Sequence, residues 1–512
     1  MFAAISVRVF APFRGICAFN LSHSTTVSAP IGVFFVMMNY MAQSFFFYDL
    51  ETSGLNARED RIMQFAGQRT DMGLNPIGEP YNLLVALSDD TLPSPDALMV
   101  TGIMPQKTID EGYTEAQFAK ILVDEVFTEN TIAVGFNSIR FDDEFVRHLF
   151  WRNFYDPYEW TWRDGRSRWD LLDVVRMTRA LRPEGITWPF TPEGEQTNRL
   201  ELITKENGIA HENAHDALSD VTALIDVTRL IRDNQPELYA YLLKMREKRE
   251  IQKLVNLDDK KPFVYSSGRY DKEFAKTTVA FPLTSGKNAN VVVYDLRYDP
   301  TPFLGMKEQE LRAILFATRE QRKEPTFKRL PVKELQYNRA PAVAPVGVLG
   351  QVDGWKKISL DIDTVEKHKK LLLSRPEFAE NIRSIFEAAR EFPPSTDPEA
   401  ALYDGFLADR DRVRVEAVRN ADVRQLADFH PEFTDERLAP LLLHYKARSF
   451  PKALREQEAV QWEEWRATRI TKQLPGFMAS LQRIAQNADD QSRFLVDELK
   501  LWAEAVMPTD EG

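Results

Sequence analysis

The chain has 512 residues, 44% hydrophobic and 28% charged, a soluble globular composition that excludes a fibrous or disordered chain and, at roughly 100 to 200 residues per domain, implies about three domains. Asp and Glu number 77 against 65 Lys and Arg, a net charge of -12. This is the wrong sign for a non-specific nucleic-acid coater, so any nucleic-acid site must be locally basic. The single cysteine, Cys17, excludes an intramolecular disulfide and any Cys-x-x-Cys zinc or redox pair, which fits a reducing, cytoplasmic setting.

The first 48 residues contain no acid and only Arg8 and Arg14 as basic charges. Such a leader reads as a targeting peptide or, because Met37, Met38 and Met41 are alternative starts, as a start-site artefact or disordered segment over residues 1–43. The apolar stretch 31–48 approaches the length of a membrane span. Asn39, Gln43 and Ser44 interrupt it and its last part is needed as a strand, so no membrane span is expected.

From residue 44 onward short apolar runs alternate with helical stretches, the pattern of a mixed sheet flanked by helices. Strands are predicted over residues 44–50, 62–70, 81–87 and 131–136. Helices are predicted over 114–127, with Phe118, Ile121 and Leu122 on one face, and over 142–151, 170–181, 200–207 and 216–232. This first domain, 44–235, is α/β. Between residues 244 and 261 seven Lys or Arg accompany four acids, which marks a boundary. β-rich runs at 277–282 and 290–296, punctuated by Gly and Pro, suggest a small barrel-like domain, assigned to 236–360, and 361–512 reads as helical.

Asp49 and Glu51 stand two apart near the end of the first strand, so they project from one side while Leu50 points away. Two carboxylates that close repel and raise one another's pKa unless a cation lies between them; the alternative is a solvated strand end with Thr52 and Ser53 as turn formers. Asp142 follows the fourth strand and opens a helix, where an Asp also serves as an N-cap. Asp216 is the expected N-cap of the next acidic helix, which places Asp220 one turn inside and His215 on the loop before it. An acid fixed on a helix beside an imidazole suits a metal ligand and a general base.

Between Trp151 and Trp169 lie seven aromatics and four arginines in nineteen residues. Single-stranded nucleic acid is held by stacking on aromatics beside cations for the phosphates, and Tyr158 and Trp162, with Arg147 and Arg176 on flanking helices, are the chosen contacts. Other rings of the stretch must be core. Two rival chemistries are legible. His211-Glu212-Asn213-Ala214-His215 matches the His-Glu-x-x-His zinc metallopeptidase signature, which needs a helix of its own, whereas Gly208 and Asp216 crowd it on both sides. Asp49 as a covalent phosphoryl acceptor would call for Asp in place of Glu51.

Together Asp49, Glu51, Asp142, His215 and Asp220 resemble the DEDDh family of 3'-to-5' exonucleases, with its Asp-x-Glu strand end, later Asp and terminal His-x(4)-Asp. The stretches 61–71, 152–158, 167–174, 181–186, 213–217 and 445–451 extend the resemblance to the bacterial exodeoxyribonuclease I family. It implies an RNase H-like α/β exonuclease domain with a mixed sheet, an SH3-like β-rich domain and a helical C-terminal domain. It also implies a phosphodiester hydrolase that releases 5'-mononucleotides from single-stranded DNA in repair and recombination. Asp49, Glu51, Asp142 and Asp220 would hold two Mg2+ ions, or Mn2+ in their place, with His215 as general base and Glu51 and Arg199 contacting substrate; an Arg199–Glu201 ion pair is the alternative for Arg199. Docking onto the C-terminal tail of a single-stranded-DNA-binding protein is implied as well, and a monomer is expected. An RNA-directed relative is the alternative within the family, although the two extra domains argue for DNA.

Overall fold

Phe45, Phe46, Phe47 and Tyr48 are all buried, and their alternation decides the architecture. Successive strand residues face opposite ways: Phe45 and Phe47 join one core with Val134, Trp169 and Val221, while Phe46, Tyr48 and Leu50 join another with Phe65, Phe118 and Phe145. The computed structural model describes residues 43–211, 216–351, 353–388, 393–486 and 489–508. All of the 1–43 leader except Gln43, and His215, lie outside the described residues.

Five strands, β1 (Ser44–Thr52), β2 (Ile62–Thr70), β3 (Tyr81–Leu84), β4 (Thr131–Gly135) and β5 (Ser167–Asp170), form a sheet of order β3-β2-β1-β4-β5. β1 is antiparallel to β2 and parallel to β4, and β5 runs parallel to β4; the sheet is mixed, as expected. β1 runs on to Thr52, past the predicted end, so Asp49 and Glu51 lie within it. β3 stops at Leu84, because Val85 makes only an isolated bridge to Tyr113. β5 was not expected: its four residues are all buried, too short a run to show a period.

The predicted helices form as Asp142–Arg152, Leu171–Leu181, Leu200–Glu206 and Ala217–Asn234. Thr114 and Gln117 make a capping box for Glu115–Ile121, which runs into a π turn, Leu122–Val126. Two short helices, Pro95–Thr101 and Pro105–Glu111, were missed although each carries the helix-opening proline. Ala217–Asn234 packs on β1 and β2.

The middle region is a second five-stranded sheet, antiparallel throughout. Its strands are β6 (Phe263–Ser266), β7 (Thr277–Ser285), β8 (Val291–Asp295), β9 (Val332–Leu335) and β10 (Ala342–Pro345), in the order β10-β6-β7-β8-β9. Helices dominate thereafter, and Glu456–Ala485 and Asp490–Val506 pack against Pro95–Thr101 of the first region. A buried ionic network ties the same two parts: Arg61 lies 2.6 Å from Glu399, and Arg448 pairs with both Asp90 and Glu399. Among the described residues no helix is long and apolar enough to cross a membrane.

Candidate active site

The period of β1 puts Asp49 and Glu51 on the face of Phe45 and Phe47, the side covered by Ala217–Asn234. That helix starts where expected: the Asp216 carboxylate accepts from Ser219 N at 3.1 Å, and Asp220 N donates to Asp216 O at 3.0 Å, fixing Asp220 in the first turn. The carboxylate oxygens of Asp49, Glu51 and Asp220 meet within 4.8 Å of one another. A register shift between Glu51 and Thr52 is the kind of bulge that re-aims a strand-end side chain.

Asp142, after β4, lies outside that converging trio but near enough to interact electrostatically with Asp49 and Glu51. The chain turns sharply after Gly135, where a Cβ would sit 2.5 Å from Ser138 Cβ, and Asn137 adopts φ 68. The Asp170 carboxylate pins this turn, accepting from Asn137 N at 2.9 Å and Ile139 N at 3.4 Å. The N-cap alternative for Asp142 fails: Phe141 holds that position and Asp142 is the first helical residue. Its neighbour Asp143 is tied up elsewhere, accepting from Tyr48 Oη at 2.5 Å and pairing with Arg168. Asp142 forms no ion pair among the described residues, so the two adjacent acids divide into one that is neutralised and one that is not.

Electrostatics register the crowding. Burial, then the charges of Asp142, Glu51 and Asp220, push the Asp49 carboxyl well up. Glu51 is pushed up to about 8 by burial and then by Asp220 and Asp216. Asp142 rises through burial and then Asp143. Such a cluster ionises fully only around a cation, and an all-oxygen donor set suits a hard divalent ion. The residues present therefore fit a divalent metal.

Histidine His211 enters the site in a way the sequence did not reveal. Its Nε2 lies 2.5 Å from Asp220 Oδ1 and its Nδ1 lies 3.1 Å from Thr204 Oγ1. It sits between the helices Leu200–Glu206 and Ala217–Asn234, in neither, so the helix that a His-Glu-x-x-His zinc site needs is missing at His211; Glu212 to His215 lie outside the described residues. A second triad, Asp397, Glu399 and His444, also converges. There Glu399 is already neutralised by Arg61 and Arg448, with His444 Nδ1 at 2.8 Å.

The aromatic and arginine stretch is mostly structural. Trp151, Phe154, Trp160 and Trp169 are core, and Arg152 and Arg168 are held by Glu115 and Asp143. Trp162 is 64% exposed. Tyr158 is half-buried, its ring 6.0 Å from Phe406 and 5.5 Å from the Arg147 guanidinium. Arg147 is buried and bonded to Glu144 at 2.9 Å. Arg176 pairs with Asp173 and lies close over Gly268. Arg199 is exposed and paired with Glu201 at 2.9 Å, the alternative foreseen for it. Between the first and second sheets opens a cleft of about 380 Å³ lined by Arg140, Asp173, Tyr265, Arg269, Lys333 and Arg339. Burial holds the Lys333 ammonium down to about 7.

Three family descriptions match successive parts of the chain: "Exonuclease" over residues 46–228, "Exonuclease I SH3-like domain" over 246–388 and "Exonuclease I C-terminal domain" over 396–506. The exodeoxyribonuclease I of Haemophilus influenzae is 38% identical over 455 residues, 88% of this chain and 96% of that one. The crystal structure of E. coli exonuclease I in complex with a dA16 oligonucleotide superposes with a TM-score of 0.87 at 37% identity, over 91% of this chain and 100% of that one. The zinc-bound form of the E. coli enzyme with single-stranded DNA gives 0.86 at 36%, with the same coverage. Matched along its three parts and to relatives over nearly their whole length, the chain belongs to the exodeoxyribonuclease I family and is a nuclease.

Proposed function

We propose that this chain is a 3'-to-5' exonuclease specific for single-stranded DNA, that it releases 5'-mononucleotides by hydrolysis, and that Asp49, Glu51, Asp142 and Asp220 hold two divalent cations for the purpose. The observation that carries the reading is the meeting of the Asp49, Glu51 and Asp220 oxygens within 4.8 Å, beside Asp142, in a chain of this family. Mg2+ is the proposed ion, with Mn2+ able to replace it. When bound, such ions lower the pKa of water and offset charge at the leaving 3' oxygen.

The chain's own groups do the rest. Asp49 and Glu51 are fixed by the pairing of β1 with β2, and Asp220 by the cap at Asp216, so little reorganisation is needed at the moment of reaction. His215 takes the proton of the attacking water, a role that rests on its place in the His-x(4)-Asp motif. Arg199 turns from Glu201 to the terminal phosphate. Tyr158 and Trp162 stack on bases while Arg147 and Arg176 meet phosphates, and the cationic cleft at Lys333 and Arg339 guides the strand. The division into 44–235, 236–360 and 361–512 belongs to the same reading, as do a monomeric state, a cytoplasmic role in DNA repair and recombination, and capture by the C-terminal tail of a single-stranded-DNA-binding protein.

The test is digestion of 5'-labelled single strands of DNA and of RNA, with and without Mg2+. Stepwise shortening of the DNA strand from its 3' end, dependent on the metal, is expected. Equal or faster digestion of RNA would favour the RNA-directed alternative, and metal-independent digestion would refute the assigned site.

A further inference from the structure

Because Asp142 stands outside the carboxylate trio that converges, whatever sets its distance from Asp49 decides whether it reaches the same cations. The residues beside those two acids are bonded to each other. Tyr48, next to Asp49, donates its hydroxyl to Oδ1 of Asp143, next to Asp142, at 2.5 Å. One bond therefore ties β1 to the first turn of Asp142–Arg152, one residue from Asp49 at one end and one from Asp142 at the other. Tyr48 faces away from Asp49 across the strand, and its ring is packed against Phe65 and Phe127.

The other oxygen of Asp143 pairs with Arg168 of β5, and all three side chains are buried. Arg168 has a second arm: its Nη2 donates to the backbone carbonyl of Asn338 at 2.7 Å, in the turn between β9 and β10. Arg339, the next residue of that turn, lies 3.7 Å from Glu144 in the same helical first turn, and Glu144 also accepts from Tyr403 of the C-terminal region. A guanidinium is a rigid planar fork, so Asp143 and the turn do not shift independently while Arg168 holds both. A buried ion pair adds little stability over well-packed apolar side chains, because both charges lose their hydration. What it supplies here is a fixed geometry.

We infer that Tyr48, Asp143 and Arg168 are positioning residues that set Asp142 against Asp49, and that through Arg168 the middle region is part of the frame of the metal site. The inference rests on the metal-binding role proposed above for Asp49 and Asp142. It adds that the spacing of those ligands is held by a chain of bonds, from β1 through Asp143 and Arg168 to residues 337–339 of the second sheet's region.

Mn2+ binding to the full chain without DNA is measured by calorimetric titration, and electron paramagnetic resonance reads the magnetic coupling between neighbouring ions. The variants are Tyr48→Phe, which keeps the packed ring, and Arg168→Lys, which keeps the charge but offers one ammonium where the guanidinium has two arms. Circular dichroism in EDTA checks that each is folded; should Arg168→Lys not fold, Tyr48→Phe and the wild-type exchange measurement below carry the test. The wild type should bind two ions with a coupled signal. In each folded variant the weaker ion should lose about tenfold to a hundredfold in affinity and the coupling should fade. Linkage is reciprocal, so Mn2+ should slow hydrogen–deuterium exchange of residues 336–340 in the wild type and not in Arg168→Lys. Wild-type affinity and coupling in the folded variants, or a turn whose exchange ignores Mn2+ in the wild type, overturns the inference. A wild type that binds no Mn2+ is a distinct failure, which removes the metal reading itself and this inference with it.

Discussion

Replacing Glu51 by Gln should stabilise the metal-free chain at alkaline pH while removing a ligand. In the folded chain Glu51 is pushed from an ordinary 4.5 up to about 8, so between these values the folded state holds a proton that the unfolded chain has released. Stability then falls as pH rises through that window: no penalty exists below about pH 4.5, and all of it is present above about pH 8. At 1.36 kcal/mol per pH unit the displacement corresponds to about 5 kcal/mol. Asp49 and Asp220, which share the repulsion, also relax in the variant, so a net gain of roughly 2 to 5 kcal/mol is expected. Urea unfolding in EDTA, followed by circular dichroism from about pH 5 to about pH 8.5, measures it. The wild type should lose stability with rising pH and regain it with Mg2+; Glu51→Gln should be flatter in pH, more stable near pH 8 and less responsive to Mg2+. A variant less stable than wild type at that pH, or parallel pH profiles, would refute the reasoning.

Asp220→Ala should lower turnover on a short single strand by at least about a hundredfold with its thermal unfolding largely retained. Trp162→Ala should weaken oligonucleotide binding by about 1 to 3 kcal/mol, read by fluorescence anisotropy in EDTA, with unfolding unchanged because the ring is exposed. His211→Ala, which removes the neighbour 2.5 Å from Asp220, should reduce Mn2+ affinity by about tenfold to a hundredfold in calorimetric titration. Glu399→Gln leaves Arg61 and Arg448 buried with reduced compensation and should cost about 3 to 5 kcal/mol in urea unfolding.

Much of the site was legible because its signals are local. The two-residue period of β1 places Asp49 and Glu51 on one face, and the Asp216 cap places Asp220 in the first turn of its helix. What escaped depends on distant partners. Asp142 was chosen over its neighbour Asp143 by resemblance alone; the physical distinction lies in Arg168 and Tyr48, remote in the chain, which hold Asp143. His211 entered the sequence reading only through the rival zinc motif, because its partner, Asp220, is reached through the fold and not through a spacing. Trp151 and Phe154 are among the rings expected to be core, but the C-terminal residues that bury them, such as Leu441 and Tyr445, are too distant in the chain for composition to name. β5 is four residues long and forms the edge of its sheet beside β4, and no periodicity shows in so short a run.

The central claim is that carboxylates from β1, from the start of Asp142–Arg152 and from the first turn of Ala217–Asn234 hold divalent cations. Anomalous diffraction from crystals soaked in Mn2+ tests it most directly. The account predicts peaks ligated by Asp49, Glu51, Asp142 and Asp220 and lost in Asp220→Ala; an empty carboxylate cluster, or manganese bound instead at Asp397, Glu399 and His444, would contradict it.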